Sequence, residues 1–291
     1  MSTLTPLTTK PAFKFVFLEG PRWHDNSLYF SDMVGGQVYK ISEDGSNCEV
    51  VVELEHKPSG LGFLPDGSLV VVSMKDRKLL KFENNQLSVI ADLSTLANGE
   101  TNDSVTDSKG RTYIGNFGFD LWNNAPAALA NLVLVTPDGS ARVVADQINF
   151  PNGTIITDGG KTLVVAETWG NVLSAFDIAE DGGLSNRRVW AKLDGKTPDG
   201  ICLDEEGAIW VASFDSGEFL RVKEGGEITD VIDVIGEDGT RKRAVACQLG
   251  GSDGKTLFCL TYGASLEELS KGKAAGAIET IKVKVGRGGS P

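Results

Sequence analysis

The chain has 291 residues, and its hydrophobic fraction of 41% is enough to build a sizeable core in an all-β unit of this length. Forty acidic residues against 28 basic ones give a net charge of -12, which argues against binding to the phosphates of nucleic acids. No apolar run approaches the ~20 residues that span a membrane, and the N-terminal MSTLTPLTTK lacks the apolar segment of a secretory signal. We therefore expect a soluble, cytoplasmic protein that binds neither nucleic acid nor membrane.

A turn followed by a strand-like run recurs six times along the chain. The copies are HDNSLYFSD (24–32), LPDGSLVVVS (64–73), DSKGRTYIGN (107–116), TDGGKTLVVAE (157–167), DEEGAIWVAS (204–213) and SDGKTLFCLT (252–261). Pairs such as Asp-Gly suit tight turns, because glycine accepts a positive φ, and the runs are rich in residues that favour strands. Aligned at their ends (Ser31, Ser73, Asn116, Glu167, Ser213 and Thr261), the copies are 42, 43, 51, 46 and 48 residues apart.

This period predicts the fold class. Another strand-like piece follows each run, and four short strands fit one period, so we predict an all-β, six-bladed β-propeller that forms one domain over residues 1–291. The segment FKFVFL (13–18) is expected to supply a strand to the last blade and close the ring. Helical repeats are excluded because the apolar residues alternate or come in short bursts, with 35 glycines between them.

Two insertions interrupt the repeats. One, at 117–130, enters blade three and carries Phe119 and Trp122, while the other, at 262–276, enters blade six and includes a helical pattern over 264–276. Trp169 follows the strand-like run of the fourth copy. These aromatic residues either line a pocket or pack the insertion against the propeller. The sequence leaves open which insertion covers the pocket.

A polar residue stands at the same phase of five copies, six or seven residues before the turn. These residues are Glu19, Ser59, Asn102, Asn152 and Asp199, with Gln248 near the same phase in the sixth copy. Equal phase in a propeller means equal depth along its axis, so their side chains should meet at one end of the channel. Two carboxylates, two amides and a hydroxyl form the oxygen-rich set that hard divalent cations such as Ca²⁺ prefer. The alternatives are ordinary turn residues, or a channel that holds only water.

Four motifs occur in order with these residues: LEGPRW (18–23), TND (101–103) with the DSKGRTYIGN run, FPNGTIITDGGKTLVVAET (150–168) and TPDGICLDEEGAIWVAS (197–213). With them, the stretch from Phe17 to Thr261 resembles the gluconolactonase, regucalcin and luciferin-regenerating enzyme family. The resemblance implies a six-bladed propeller in which Glu19, Asn152 and Asp199 bind one divalent ion. That ion is generally Ca²⁺, with Zn²⁺, Mn²⁺, Fe²⁺ and Mg²⁺ as alternatives, and Asn102 would coordinate it or touch the substrate.

The resemblance also implies hydrolysis of a small-molecule lactone or ester, with Asp199 as general base or as nucleophile. In sugar-lactone members an arginine stands two positions before the Asn-Asp pair, but here that residue is Glu100. We therefore expect a lactone less polar than gluconolactone, bound by Asn102, Glu100, Phe119, Trp122 and Trp169. A phosphotriesterase on the same metal and a non-catalytic calcium- or ligand-binding propeller remain alternatives. The sequence leaves the oligomeric state open.

Overall fold

The computed structural model describes residues 4–123, 125–157 and 159–289, and their strands form six antiparallel sheets of four strands each. In chain order the strands are β1 (Thr5–Pro6); β2 (Leu18–His24), β3 (Ser27–Asp32), β4 (Gln37–Ser42) and β5 (Cys48–Glu53) in blade one; β6 (Pro58–Phe63), β7 (Leu69–Ser73), β8 (Lys78–Glu83) and β9 (Gln86–Asp92) in blade two; β10 (Thr101–Thr106), β11 (Thr112–Asn116), β12 (Ala130–Val135) and β13 (Ala141–Ile148) in blade three; β14 (Pro151–Thr157), β15 (Thr162–Glu167), β16 (Val172–Ile178) and β17 (Leu184–Lys192) in blade four; β18 (Pro198–Leu203), β19 (Ile209–Ser213), β20 (Glu218–Val222) and β21 (Ile228–Asp233) in blade five; and β22 (Arg243–Gly250), β23 (Thr256–Tyr262) and β24 (Gly276–Lys282), which with β1 make blade six.

The six blades form a closed ring. The first strand of each blade contacts the first strand of the next: β2 contacts β6, then β10, β14, β18 and β22 follow in turn, and β22 returns to β2. Adjacent sheets pack face to face, and the hydrophobic core lies between them, as where Val164 and Ala166 of blade four pack with Ile209 and Val211 of blade five. The prediction of a six-bladed all-β propeller is therefore confirmed.

The N-terminal segment closes the ring, but through a different strand from the predicted 13–18. Thr5–Pro6 is the outermost strand of blade six and pairs antiparallel with β24, with Thr5 opposite Thr280. Within 13–18 only Phe15 pairs with blade six, by a single bridge to Gly276. The reason lies in Asp32, whose carboxylate accepts hydrogen bonds from the backbone N–H groups of Val16 at 2.7 Å and Phe17 at 3.0 Å and so ties the segment to blade one.

The two insertions lie between the second and third strands of their blades. The connection 117–129 follows β11, and its described residues contain no helix; Asn124 in this insertion and Asp158 in the fourth turn lie outside the described residues. The connection 263–275 follows β23 and holds helix α1 (Leu266–Ser270), shorter than the predicted 264–276 because Gly272 takes a left-handed φ of 74° just beyond it. Over the part of the chain that is described, no helix has the length and apolar character needed to cross a membrane.

Candidate functional site

The polar residues of the predicted ring occupy equivalent places in five blades. Glu19, Ser59, Asn102, Asn152 and Asp199 are each the second residue of the first strand of their blade, and all five are buried. Because the first strands line the axis and run in the same direction, these side chains stand at one end of the channel. In blades two to five the ring residue directly follows the residue paired with the aligned end of the second strand, whereas in blade one Glu19 itself pairs with the aligned end, Ser31.

Glycine after the ring residue lets the inner strands approach each other. A Cβ atom on Gly153 would lie 2.6 Å from the backbone oxygen of Asp199 and 2.5 Å from the backbone nitrogen of Ile201. Such distances are far below van der Waals contact, so only glycine fits between blades four and five here. The inner strands of blades four and five are therefore closely packed.

Blade six differs from the sequence expectation. Ala244 pairs with Thr261 as Pro198 pairs with Ser213, so Val245 stands at the level of Asp199. Gln248 lies three residues further along β22, where its side-chain Nε2 donates to the backbone oxygen of Leu249 at 3.0 Å. The placement of Gln248 in the ring is therefore wrong, and blade six contributes an apolar side chain at this level.

Hydrogen bonds connect the ring residues of neighbouring blades. The Ser59 hydroxyl donates to Asn102 Oδ1 at 3.2 Å, and Asn102 Nδ2 donates to the backbone oxygen of Pro151 at 3.5 Å. Further round the ring, the Asn152 side chain is hydrogen-bonded to the carboxylate of Asp199 and lowers its pKa. The Asn102 and Asn152 amides are thereby held in fixed orientations beside the carboxylate.

The two ring carboxylates are held in an unfavourable electrostatic environment. Burial raises the pKa of Glu19 well above its usual range, and the negative charges of Asp199 and Asp103 raise it further. Burial and the charge of Asp103 likewise raise the pKa of Asp199 well above its usual range, against the opposing hydrogen bond from Asn152. Ionised carboxylates in such a place require a compensating positive charge.

Arg22 is a buried cation beside this cluster, and no role was predicted for it from the sequence. Its guanidinium donates to the Asp103 carboxylate at 3.0 Å, to the Pro21 carbonyl at 2.7 Å and to the Ser104 carbonyl. Its charge lowers the pKa of Glu19, but this is the last and smallest of the effects on that group. Arg22 therefore forms its ion pair with Asp103, and among the described residues neither Glu19 nor Asp199 has an ion-pair partner.

The donor set suits a hard divalent cation. Asn152 Oδ1 and Asp199 Oδ1 are buried acceptor atoms with no hydrogen-bond partner, which is costly in a folded protein unless something else satisfies them. Two carboxylates and two amide oxygens are the ligand types that Ca²⁺ takes. Among the described residues no group of three or more His, Cys, Asp or Glu side chains is arranged to hold a metal, so the candidate set depends on its amides as much as on its acids.

An aromatic stack lies beside Asn152. The Phe150 ring stacks on Trp169 with centroids 4.5 Å apart and on Phe117 with centroids 5.0 Å apart, and Phe119 lies 5.3 Å from Trp169. Thr168, which precedes Trp169, accepts a hydrogen bond from Asn152 Nδ2 at 3.3 Å. Two residues predicted to bind substrate, Phe119 and Trp169, are thus brought together near the ring, and Phe150 joins them although the sequence did not single it out.

Glu100 and Trp122, the other expected substrate-binding residues, meet in a cavity of about 470 Å³ beside blades two and three. Trp122 Nε1 donates to Glu100 Oε2 at 2.7 Å, and the ammonium group of Lys57 lies 4.3 Å from the centroid of the indole ring. Phe119 also lines this cavity. The predicted substrate residues therefore fall in two adjoining places that share Phe119, and Lys57 is a cavity residue that the sequence did not indicate.

Comparisons with known proteins show the family of this chain and its fold. The family model described as the SMP-30/Gluconolactonase/LRE-like region matches residues 17–263. Regucalcin of Danio rerio is 28% identical over 279 residues, covering 91% of this chain and 89% of that protein. The 6-deoxy-6-sulfogluconolactonase of Pseudomonas putida is 26% identical over 276 residues, covering 92% and 91%. A solved luciferin-regenerating enzyme superposes with a TM-score of 0.83 at 18% identity, covering 100% of this chain and 98% of that one, which shows the same fold.

Proposed function

Because the chain belongs to the SMP-30/gluconolactonase/LRE-like family, we propose that it is a metal-dependent hydrolase that opens a lactone ring. One observation carries the proposal: two buried carboxylates, Glu19 and Asp199, share one end of the channel without a paired cation, and an oxygen of Asp199 has no partner. The relative from Pseudomonas putida, whose name describes a lactonase, supports the reaction class.

Glu19, Asn152 and Asp199 would hold the ion, with Asn102 as a further ligand or as a contact to the substrate. Their oxygen donors favour Ca²⁺, and Mg²⁺ or Mn²⁺ accept the same donors, whereas Zn²⁺ and Fe²⁺ more often take nitrogen or sulfur. A bound divalent ion would polarise the lactone carbonyl and stabilise the negative charge that develops on its oxygen.

Asp199 is the residue proposed to move the proton. In the protein without its ion, burial and the charge of Asp103 raise the pKa of Asp199, whereas a bound cation would lower it, so the proposed base role depends on the position of Asp199 beside the ion. The Oδ1 atom without a hydrogen-bond partner would bind the ion, and a water molecule held beside the ion would lie within reach of the same carboxylate, which Asn152 fixes from the side. Attack by Asp199 itself, giving an acyl-enzyme, is the alternative route.

The surroundings of the ring favour a lactone with an apolar part. The stack of Phe117, Phe119, Phe150 and Trp169 offers aromatic faces next to Asn152, and Trp169 keeps 43% of its surface exposed. At the position where sugar-lactone relatives carry arginine, Glu100 accepts a hydrogen bond from Trp122. We therefore propose a substrate less hydroxylated than gluconolactone.

The test is proton release from a panel of γ- and δ-lactones by the parent protein, by the chelator-treated protein and after Ca²⁺ is restored. Asp199→Asn keeps the shape and the hydrogen bond to Asn152 but removes the base, so activity should fall at least about a hundredfold. Glu227→Gln is the matched control. Glu227 is exposed between β20 and β21 of blade five, so this variant should keep activity.

The remaining outcomes decide between the alternatives. Turnover that survives chelation, or an active Asp199→Asn protein, would contradict the proposal. Hydrolysis of phosphotriesters and not of lactones would assign the same residues to the phosphotriesterase reaction. Metal binding without turnover of either class would leave a binding propeller.

A further inference from the structure

The cavity beside blades two and three collects positive charge in a chain whose net charge is -12. Lys57, Lys75 and Arg77 all line it, and the ammonium groups of Lys57 and Lys75 form no ion pair or hydrogen bond with any described residue. Arg77 donates one hydrogen bond, from Nη1 to the Ala97 carbonyl at 3.1 Å. Positive side chains without a paired carboxylate in a concave site favour an anionic ligand, and here, among the described residues, the Lys57 ammonium contacts only the Trp122 ring.

The two carboxylates that line the same cavity accept hydrogen bonds from other side chains and not from the lysines. Glu100 accepts from the Trp122 indole at 2.7 Å, and Asp120 accepts from the backbone and side chain of Asn123 at 3.2 Å and 2.8 Å. Lys57 is half-buried, and burial together with the charge of Lys75 lowers its pKa, against the opposing charge of Glu100. The two lysines therefore repel each other in a partly desolvated place, an unfavourable arrangement that an anion between them would relieve.

The cavity adjoins the ring through both of its walls. Lys57 stands two residues before Ser59, and Glu100 stands two residues before Asn102, so the same level of blades two and three carries them. Phe119 lines the cavity and also belongs to the aromatic stack next to Asn152. A molecule held at Asn102 can thus extend along Phe119 toward the two lysines.

We propose that Lys57 and Lys75 form a recognition site for an oxyanion group, such as a carboxylate, sulfonate or phosphate, carried by the substrate at a distance from its lactone ring. The inference rests on the proposed lactonase function for the identity of the substrate, and on the cavity alone for the binding of the anion. Arg77 completes the positive wall, and the Lys57 ammonium lies 4.3 Å from the centroid of the Trp122 ring, which is a cation–π contact.

Two lactones that differ only in a terminal group, a carboxylate or its primary amide, test the proposal through kcat/KM. The parent protein should prefer the carboxylate at least about tenfold, since two charge-assisted hydrogen bonds are involved. Lys57→Gln with Lys75→Gln should bring the ratio of the two kcat/KM values to about one. The matched control is Lys192→Gln with Lys223→Gln on outer parts of blades four and five. It removes the same charge and should keep the preference for the carboxylate substrate.

A second readout does not depend on turnover. Inorganic sulfate, added at constant ionic strength to the metal-free protein, should change the fluorescence of Trp122 in a saturable manner, and the change should vanish in the double lysine variant but persist in the control. Lactone turnover with equal preference for both substrates and no response to sulfate would overturn this inference while the lactonase proposal stands. A saturable response without any lactone turnover would retain the anion site and reject the lactonase.

Discussion

The carboxylates of Glu19 and Asp199 are buried on the first strands of two different blades, and the charge of Asp199 raises the pKa of Glu19. A pair of like charges in one desolvated place opposes folding when both are ionised. The cation Arg22 is committed to Asp103 by a 3.0 Å ion pair. The stability of the propeller and the chemistry of its channel are therefore linked through these two acids.

Ca²⁺ should stabilise the protein, and Glu19→Gln should remove that effect. At a Ca²⁺ concentration a hundredfold above the dissociation constant, the free energy of unfolding should rise by about 2.7 kcal/mol. In metal-free protein Glu19→Gln should be neutral or stabilising, because it removes one of two buried like charges. Chemical denaturation with and without Ca²⁺ measures both effects, with Glu227→Gln as the control. A destabilised metal-free Glu19→Gln protein would contradict this account of the pair.

The aromatic stack should reward apolar substrates. For lactones with alkyl chains of increasing length, each methylene that reaches Trp169 should raise kcat/KM by about fourfold, since burying one contributes about 0.8 kcal/mol. Trp169→Ala should flatten this dependence while leaving the shortest lactone nearly unaffected. Leu87→Ala, which removes an exposed side chain from an outer strand of blade two, is the control. An unchanged chain-length dependence in Trp169→Ala would show that the stack only packs the insertion.

The repeat predicted the blades and most of the ring, for a simple physical reason. In blades two to five the first strand starts opposite the aligned end of the second strand, so one phase in the sequence becomes one level along the axis, as with Asn152 and Asp199. The ring residue of blade six was predicted wrongly because the register of this blade shifts at Val245, which lies between the paired residues Ala244 and Ala246. A shift of one residue depends on how two strands pair, and a single strand gives no sign of it.

Contacts between residues distant in sequence could not be predicted from the sequence either. Asp32 binds the backbone of Val16 and Phe17, which turns a strand-like segment away from blade six. Arg22 and Asp103 form an ion pair across 81 positions, and neither stands in a motif that predicts the other. Such partners are set by the closure of the ring, whereas strand propensity and turn residues are local properties.

Gly153→Ala should distort the site although it leaves every candidate ligand residue unchanged. A Cβ at this position would lie 2.6 Å from the Asp199 carbonyl, so the strands carrying Asn152 and Asp199 must separate. We expect a loss of about 1–3 kcal/mol in the free energy of unfolding and a weaker affinity for Ca²⁺. Gly263→Ala is the control, because its new Cβ would approach no atom closer than 3.7 Å. Calcium titration of both variants decides the matter, and equal affinities would show that the close packing of blades four and five is not needed for the site.

Because of Tyr113, the free energy of unfolding of the propeller should fall as the pH rises into the alkaline range. This buried residue of blade three donates its hydroxyl to the Gly182 carbonyl of blade four at 3.0 Å, and burial raises its pKa from 10.0 to about 12. Because the folded state resists ionisation, the contribution is complete below pH 10 and is lost as the pH rises through 12. Tyr113→Phe should lower the free energy of unfolding by about 1 kcal/mol at pH 7, through the lost hydrogen bond. Near pH 12 the parent should lose about 2–3 kcal/mol that the variant keeps, so the order of their stabilities should reverse. Denaturant titrations at pH 7, 10 and 12 measure this crossing, and a deficit that stays constant with pH would contradict it.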